Sequence, residues 1–469
     1  MTTASAESAF GTVIIGGGAG GVLVAIRLLM DGPSAGPVAI VEPATRLGRG
    51  AAYSTGCAEH LLNVVAGRMS AISGRPADFV DFLAREDSGD RSALAGRFAS
   101  RRDYARYLLH TLESLPRQRS PAHLRDRAVD IERHADGFLV HLASGGRVAA
   151  RHVVLAVGNA PRPLPAYLRH PEMRLVDAWE YDGLQRIGSG AGVCILGSGL
   201  SMVDAVLSLD ARGHRGPIRV VSRHGLMPLP HARTGPHDGG GVDELLPLGV
   251  RRRSRLLRDR VAAAVASGEP WQWSFDRLRP HGQALWRSLD DTQRRRFLRH
   301  AVRYWDIHRH RIAPQVHAAL SRLRASGQLQ VTAGRLRAIG AAPGGGSEVQ
   351  VHLRHASRED VLQADWIINA TGVETRIDLR PDPLLAALRE RGMIIPGPQG
   401  LGVASSGVGH VIDRRGRSDP AFYVLGALRI GDLWESIAIP ELRDQARDIA
   451  GDILGADAAT PSRSGQGDA

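Results

Sequence analysis

The sequence predicts an α/β fold of two parallel-sheet units, the second inserted in the first, with an Arg-rich helical segment. Three observations predict it. The apolar run Thr12-Val13-Ile14-Ile15 leads into the turn Gly16-Gly17-Gly18-Ala19-Gly20-Gly21 and then the helical run Val22 to Leu29. A second run of the same kind is Val193-Cys194-Ile195-Leu196, followed by Gly197-Ser198-Gly199-Leu200-Ser201-Met202 and a helix from Val203. Each unit is followed by an apolar strand that ends in a glycine turn, at Val153 to Gly158 and at Trp366 to Gly372.

In the first unit each glycine has a physical task. Gly16 permits the tight turn out of the strand, Gly18 lets the backbone approach a pyrophosphate, and Gly21 lets the helix pack on the sheet. The helix N-terminus presents free N–H groups and partial positive charge to phosphates. Glu42 ends the next apolar run, Val38-Ala39-Ile40-Val41, 21 residues past Gly21, where an acid hydrogen-bonds an adenosine ribose. A glycine turn that binds nothing is the competing reading. The strand before, the helix after and Glu42 favour a Rossmann-like dinucleotide-binding domain.

The following stretches, Arg46 to Ser54 and His60 to Ser70, read as loop and short helix. Ala77 to Arg85 and Asp103 to Leu115 carry helical spacing; Ala128 to Ile131, Phe138 to Leu142 and Arg147 to Leu155 read as strands. In the second unit the sixth turn position is Met202, so its helix should pack less closely. The strand Ile218 to Val221 leads to Arg223, 24 residues past Gly199. An Arg there favours a 2′-phosphate or stacks on adenine, against the alternative of a plain surface Arg. Residues 243–314 are helical and Arg-dense, and their aromatics Trp271, Trp273, Trp286, Tyr304 and Trp305 should pack a core. Sheet pattern returns at Trp366 to Thr371 and at Phe422 to Gly426, with a last helix from Ile439 to Ala450. Gly344-Gly345-Gly346 reads as a hairpin tip, and the small, polar residues 456–469 as a disordered tail. These elements divide into a first domain over 10–187 completed by 365–455, and a second over 188–364 that carries the helical insertion.

Composition narrows the function. All 60 basic residues are Arg, so Schiff-base chemistry and a Gly-Lys-Ser phosphate loop are excluded. The net charge of +12 comes without a nucleic-acid-binding module, and no nucleic-acid partner is expected. Cys57 and Cys194 form no Cys-x-x-Cys pair, which argues against a dithiol reductase. No stretch reaches the roughly 20 apolar residues of a membrane span, and Met1 to Phe10 has no signal-peptide pattern. A cytoplasmic enzyme is expected. No metal-ligand spacing and no nucleophile triad stand out. Two dinucleotide sites suit a resident flavin that receives hydride from a nicotinamide.

The chain resembles the flavoprotein monooxygenases with two dinucleotide domains, a group that includes bacterial FAD-dependent urate hydroxylases and aspartate N-monooxygenases. The resemblance rests on Leu47 to Ser54, His60-Leu61-Leu62-Asn63, Ala66 to Ser70, Gly197 to Asp204, Ser222-Arg223-His224-Gly225, Tyr304-Trp305-Asp306 with Arg309-His310-Arg311, and Gly431 to Ser436. It implies a glutathione-reductase-like flavoprotein fold and an FAD-dependent hydroxylase using NADH or NADPH and O2 through a C4a-hydroperoxyflavin. Urate, hydroxylated at C5 to 5-hydroxyisourate, is the expected substrate. N-hydroxylation of an amino acid such as aspartate is the alternative. The resemblance places Gly16, Gly18, Gly21 and Glu42 on FAD, with Asp432 reaching its ribityl or pyrophosphate. Val129 would meet adenine through its backbone, and Asn63 and Arg68 would line the flavin ring. Gly197, Gly199 and Arg223 would take the nicotinamide nucleotide. Asn63, Arg102 and His231 are the weak catalytic or substrate-side candidates, each against a purely structural reading.

Overall fold

The computed structural model describes residues 9–32, 36–87, 89–232, 241–343, 345–354 and 358–459. Two sheets organise them. In the first, the order is Ser405–Ser406, His410–Ile412, Ser418–Val424, Arg147–Leu155, Ala9–Ile15, Val38–Val41 and Ala122–Leu124. From Ser418–Val424 to Ala122–Leu124 the pairing is parallel. Val38–Val41 is buried along its whole length, as a parallel strand covered on both faces should be. The hairpin Ala128–His134 and Gly137–Leu142 joins the sheet through Arg147–Leu155. Helices Ala19–Asp31, Arg101–Glu113 and Ile439–Ala459 pack together over one face, around a core that includes Leu23, Ile26, Tyr104 and Ile449.

The second sheet runs Glu359–Ala364, Ser347–Leu353, Leu329–Ala341, Ile218–Ser222, Val193–Leu196, Trp366–Asn369 and Leu175–Asp177. Its last five strands are parallel and its first two form an antiparallel flap. Strands Leu175–Asp177 and Trp366–Asn369 therefore stand in the second sheet, where the sequence reading put them in the first domain. A short apolar parallel strand has the same pattern in either sheet, and what decides its place is pairing to distant residues. The chain crosses between sheets at 158–162 and 370–374. These crossings pair with each other: the Arg162 amide donates to the Gly372 carbonyl and the Glu374 amide to the Ala160 carbonyl, both at 2.9 Å.

The helical insertion comprises Val250–Ala266, Trp271–Leu278, Gly282–Arg287, Asp291–His300 and Val302–Arg309. It leans on the C-terminal part of the first domain. Trp286 is buried, stacks on Trp434 with ring centres 4.9 Å apart, and donates its indole N–H to the Gly431 carbonyl at 2.8 Å. Tyr304, expected with the packed aromatics, is 47% exposed instead.

One expectation at the end of an element needs adjustment. The last helix extends through Ala459, so 456–459 are helical and not part of a disordered tail. Asp457 anchors that end to Arg151 at 2.9 Å and His152 at 3.3 Å. Residues 460–469 lie outside the described residues, as does Gly344. Gly345 and Gly346 fall in the turn between Leu329–Ala341 and Ser347–Leu353.

Candidate functional site

The first glycine turn is built for close approach. Gly16 has φ +107°, and a Cβ there would lie 2.4 Å from the Ala156 carbonyl oxygen. A Cβ on Gly21 would lie 2.0 Å from the Gly16 carbonyl oxygen, so the helix rests directly on the turn. Gly18 caps the helix Ala19–Asp31 with no side-chain bond, which leaves the first N–H groups to a ligand. Glu42 reaches back to this turn, accepting from the Gly17 amide at 2.8 Å and the Ala44 amide at 3.0 Å.

The sequence reading missed the other wall of this cradle. The Gly48 amide donates to the Gly17 carbonyl at 2.8 Å, and the Gly50 Cα lies 3.6 Å from where a Gly18 Cβ would stand. Gly48 and Gly50 both have positive φ. Their signal was present in the run Leu47 to Ala52, which reads as an ordinary loop without its contact to Gly17 and Gly18. A pyrophosphate fits this cradle: glycine backbone on both sides, an uncapped helix N-terminus, and an acid at its rim for a ribose.

The second turn repeats the first. Gly197 has φ +106°, and its Cβ would lie 2.2 Å from the Ala370 carbonyl oxygen. Gly199 caps the helix Leu200–Ala211 without a side-chain bond and faces open space. Met202, at the sixth position, is fully buried. Arg223 is exposed beside this turn. Partial burial and the neighbouring guanidiniums of Arg303, Arg162 and Arg335 depress its pKa. The same positive field reaches His224, whose pKa is lowered first by burial and then by Arg354 and Arg223. A group of like charges gathered beside a cradle suits an anion.

The remaining predicted residues separate into two groups. Asn63 and His231 meet: the His231 Nε2–H donates to the Asn63 carbonyl at 2.9 Å. Burial first, then Arg311, pushes the His231 pKa down to about 4, so its ring is neutral near pH 7. Val129 falls at the register shift between Ala128 and Asp130, where the ladder skips it. Arg68 is exposed on the turn Ala66–Arg68, its charge felt by the half-buried Arg279. Asp432 accepts from the Ser405 hydroxyl, and burial raises its pKa against the pull of Arg429. Arg102 is exposed, while its neighbour Arg101 is drawn inward to Asp204 at 2.6 Å.

A second set was missed as a site although two of its motifs carry the resemblance. Arg309 bonds the buried Glu435 carboxylate from Nε to both Oε1 at 3.0 Å and Oε2 at 2.9 Å, and from Nη2 to Oε2 at 2.5 Å. Trp305 donates to the same carboxylate at 3.2 Å, and Arg279 and Arg309 each lie 3.8 Å from Glu441. Around them Arg279 Nη2, Glu441 Oε2 and Ser436 Oγ are buried without a hydrogen-bond partner among the described residues. A small cavity near 30 Å³ lies at the sheet crossings, lined by Asn159, Glu374, Arg380, Leu428, Ile430 and Ile437.

Two parallel sheets, each with an uncapped glycine cradle, define a dinucleotide-binding flavoprotein fold. Residues 13–160 match a family model described as FAD-NAD(P)-binding. The whole chain is similar in structure to Kutzneria sp. 744 ornithine N-hydroxylase, in its complex with reduced FAD, NADP+ and L-ornithine, at TM-score 0.67 and 15% identity, covering 96% of this chain and 100% of that one. Ornithine hydroxylase from Pseudomonas aeruginosa gives TM-score 0.65 at 17% identity, covering 95% and 99%. L-lysine 6-monooxygenase from Pseudomonas syringae gives 0.62 at 18% identity, also covering 95% and 99%. No curated protein matches the chain by sequence.

Proposed function

We propose that this chain is an FAD-dependent NAD(P)H monooxygenase that N-hydroxylates an amine or amino acid. The observation that carries the reading is the pair of uncapped cradles whose flanking strands meet at the bonded crossings near Gly158 and Gly372. That arrangement would bring a resident and a transient dinucleotide to one junction. The overall reaction balances as RNH2 + O2 + NAD(P)H + H+ → RNHOH + NAD(P)+ + H2O. The bound FAD would accept hydride and activate O2. Gly16, Gly18, Gly48 and Gly50 would hold its pyrophosphate and Glu42 its ribose. Gly197, Gly199 and Arg223 would hold the nicotinamide nucleotide, and the guanidiniums around Arg223 favour the extra phosphate of NADPH.

Two observations turn the reading from urate toward amines. The structural neighbours named above act on ornithine and lysine, and none in that set acts on urate. The unpartnered Glu441 oxygen and Arg279 N–H form a pair suited to a group carrying both charges, such as an amino acid. Disulfide reductases share the fold, with T. acidophilum thioredoxin reductase at TM-score 0.50 and 13% identity. Here burial, with help from Glu59, pushes the Cys57 thiol up to about 11, and burial pushes Cys194 to about 12, so neither is a poised thiolate.

The test is NADPH oxidation, O2 uptake and hydroxylamine formation by the purified FAD-loaded protein with ornithine, lysine, cadaverine, aspartate and urate. Hydroxylamine from an amine supports the proposal. Consumption of urate with no amine hydroxylated would replace it with the urate reading.

A further inference from the structure

The geometry points to a buried polar latch, Arg101–Asp204 with His60, that holds the two dinucleotide domains in the orientation needed for hydride to pass between them. Arg101 and Asp204 would then be positioning residues for flavin reduction. The inference rests on the proposed monooxygenase reading for its kinetic consequence and on the structure alone for its geometry.

The latch is assembled in the first domain and engages the second. Segments 60–62 and 99–101 run side by side: Leu61 bridges Ser100, the Leu62 amide donates to Ala99 at 2.8 Å, and the Arg101 amide to His60 at 2.8 Å. This pairing sets His60 and Arg101 next to each other, facing the helix Leu200–Ala211. That helix begins at Gly199, and Asp204 stands little more than one turn along it. Arg101 Nη1 reaches Asp204 Oδ2 at 2.6 Å, with the two side chains 13% and 6% exposed. Arg101 Nε donates to the Leu61 carbonyl at 3.2 Å, which fixes the plane of the guanidinium.

His60, fully buried, binds the same helix through a defined tautomer. Its Nε2 lies 2.9 Å from the Asp204 carbonyl, an acceptor only, so Nε2 carries the proton. Ser208 Oγ also lies 3.0 Å from Nε2. Nδ1 then accepts from the Thr55 hydroxyl at 2.8 Å, and Thr55 Oγ1 accepts from the Cys57 amide at 3.1 Å. Apolar contacts complete the contact: Leu61 and Phe98 of the first domain pack against the core of the second.

An apolar interface alone tolerates sliding, whereas a charge pair with directed hydrogen bonds selects one register. The helix it selects is the one whose N-terminus forms the second cradle. Turning that helix by a small angle displaces a bound nicotinamide relative to a flavin, and displacement near 1 Å can slow such a step by about 100-fold.

The experiment is anaerobic stopped-flow reduction of the FAD-loaded protein by NADPH, for the unaltered chain, Arg101→Met, Asp204→Asn and Arg101→Lys. We expect the limiting reduction rate to fall roughly tenfold or more in Arg101→Met and Asp204→Asn. Reoxidation of dithionite-reduced protein by O2 and flavin content should stay within about twofold, and Arg101→Lys should recover much of the rate. Equal rates in all four folded proteins would overturn the latch, and so would parallel loss of reduction and reoxidation. Should NADPH fail to reduce the unaltered protein, the functional reading fails and a second measurement decides the latch. Fluorescent labels at Ser144→Cys and Arg337→Cys, with Cys57→Ser, report the distance between domains. A broadened distance distribution in Arg101→Met supports the latch, and an unchanged one overturns it.

Discussion

Gly16 joins two constraints that no other residue type meets together: φ +107° and 2.4 Å between its missing Cβ and the Ala156 carbonyl oxygen. Gly16→Val should strain the backbone by about 1–3 kcal/mol and shift the neighbouring strand end. Purified Gly16→Val is expected to lose most of its flavin absorbance and to melt several degrees lower. Gly18→Ala separates binding from folding, because the Gly18 Cβ direction is open except for Gly50. That variant should keep its melting temperature and bind FAD more weakly. A Gly18→Ala protein with full flavin occupancy after dialysis would count against the cradle. Gly16, Gly18, Gly21 and Glu42 were legible because their chemistry is local: strand, turn, helix and the next strand. Arg101, Asp204 and His60 were not, since their partners lie 103 and 144 residues away and nothing local marks them. Arg101 and Arg102 look alike in sequence, because adjacent arginines on a helix differ only in which way they face.

At the scale of elements, the helical insertion is tied to the first domain by the stack of Trp286 on Trp434 and by the ion pairs of Arg309 and Arg279 with Glu435 and Glu441. Trp286→Ala removes the stack on Trp434 and the bond to Gly431, and should destabilise by about 3–5 kcal/mol in urea unfolding. Glu435→Gln leaves Arg309 buried with a weaker partner, and breaking a buried pair of this kind costs about 3–5 kcal/mol. A loss under 1 kcal/mol in either variant would show that the insertion docks by other contacts. Helical character over 243–314 was readable from periodicity. Its docking was not, because Arg309 and Glu435 are 126 residues apart.

Acid should loosen the segment 60–63, which carries His60 and meets His231. Burial holds His60 below its ordinary value and His231 at about 4, so the folded protein binds fewer protons than the unfolded chain below about pH 6.5. Their stability contribution is complete above that pH and is lost as pH falls from 6.5 toward their folded values. The urea midpoint should therefore drop between pH 7 and pH 5, with a shallower drop in His231→Gln. An identical slope in that variant would remove His231 from the account.

For the whole molecule, the proposed preference for NADPH rests on charge gathered from several elements. Arg162 comes from the crossing, Arg223 from beyond the second cradle, Arg303 from the insertion and Arg335 from the second sheet. Arg223→Gln should raise KM for NADPH roughly tenfold, the equivalent of one charge-assisted hydrogen bond, and leave KM for NADH nearly unchanged. Equal change for both coenzymes would place Arg223 away from the 2′-phosphate. The sequence showed two repeated units and the interruption of one by the other. The membership of Leu175–Asp177 and Trp366–Asn369 depended on which strands they border, a relation between distant segments that composition and periodicity do not encode.

The paired crossings have a consequence for engineering and for descent. Because Ala160 and Glu374 are hydrogen-bonded neighbours, the inserted domain leaves and re-enters its host through a single doorway. A cut at that doorway gives the excised domain adjoining ends and leaves the host a gap that a tight turn can close. The covalent link between the two domains is therefore confined to one point, and an exchanged domain would also have to reproduce the buried contacts to Arg101 and Glu435.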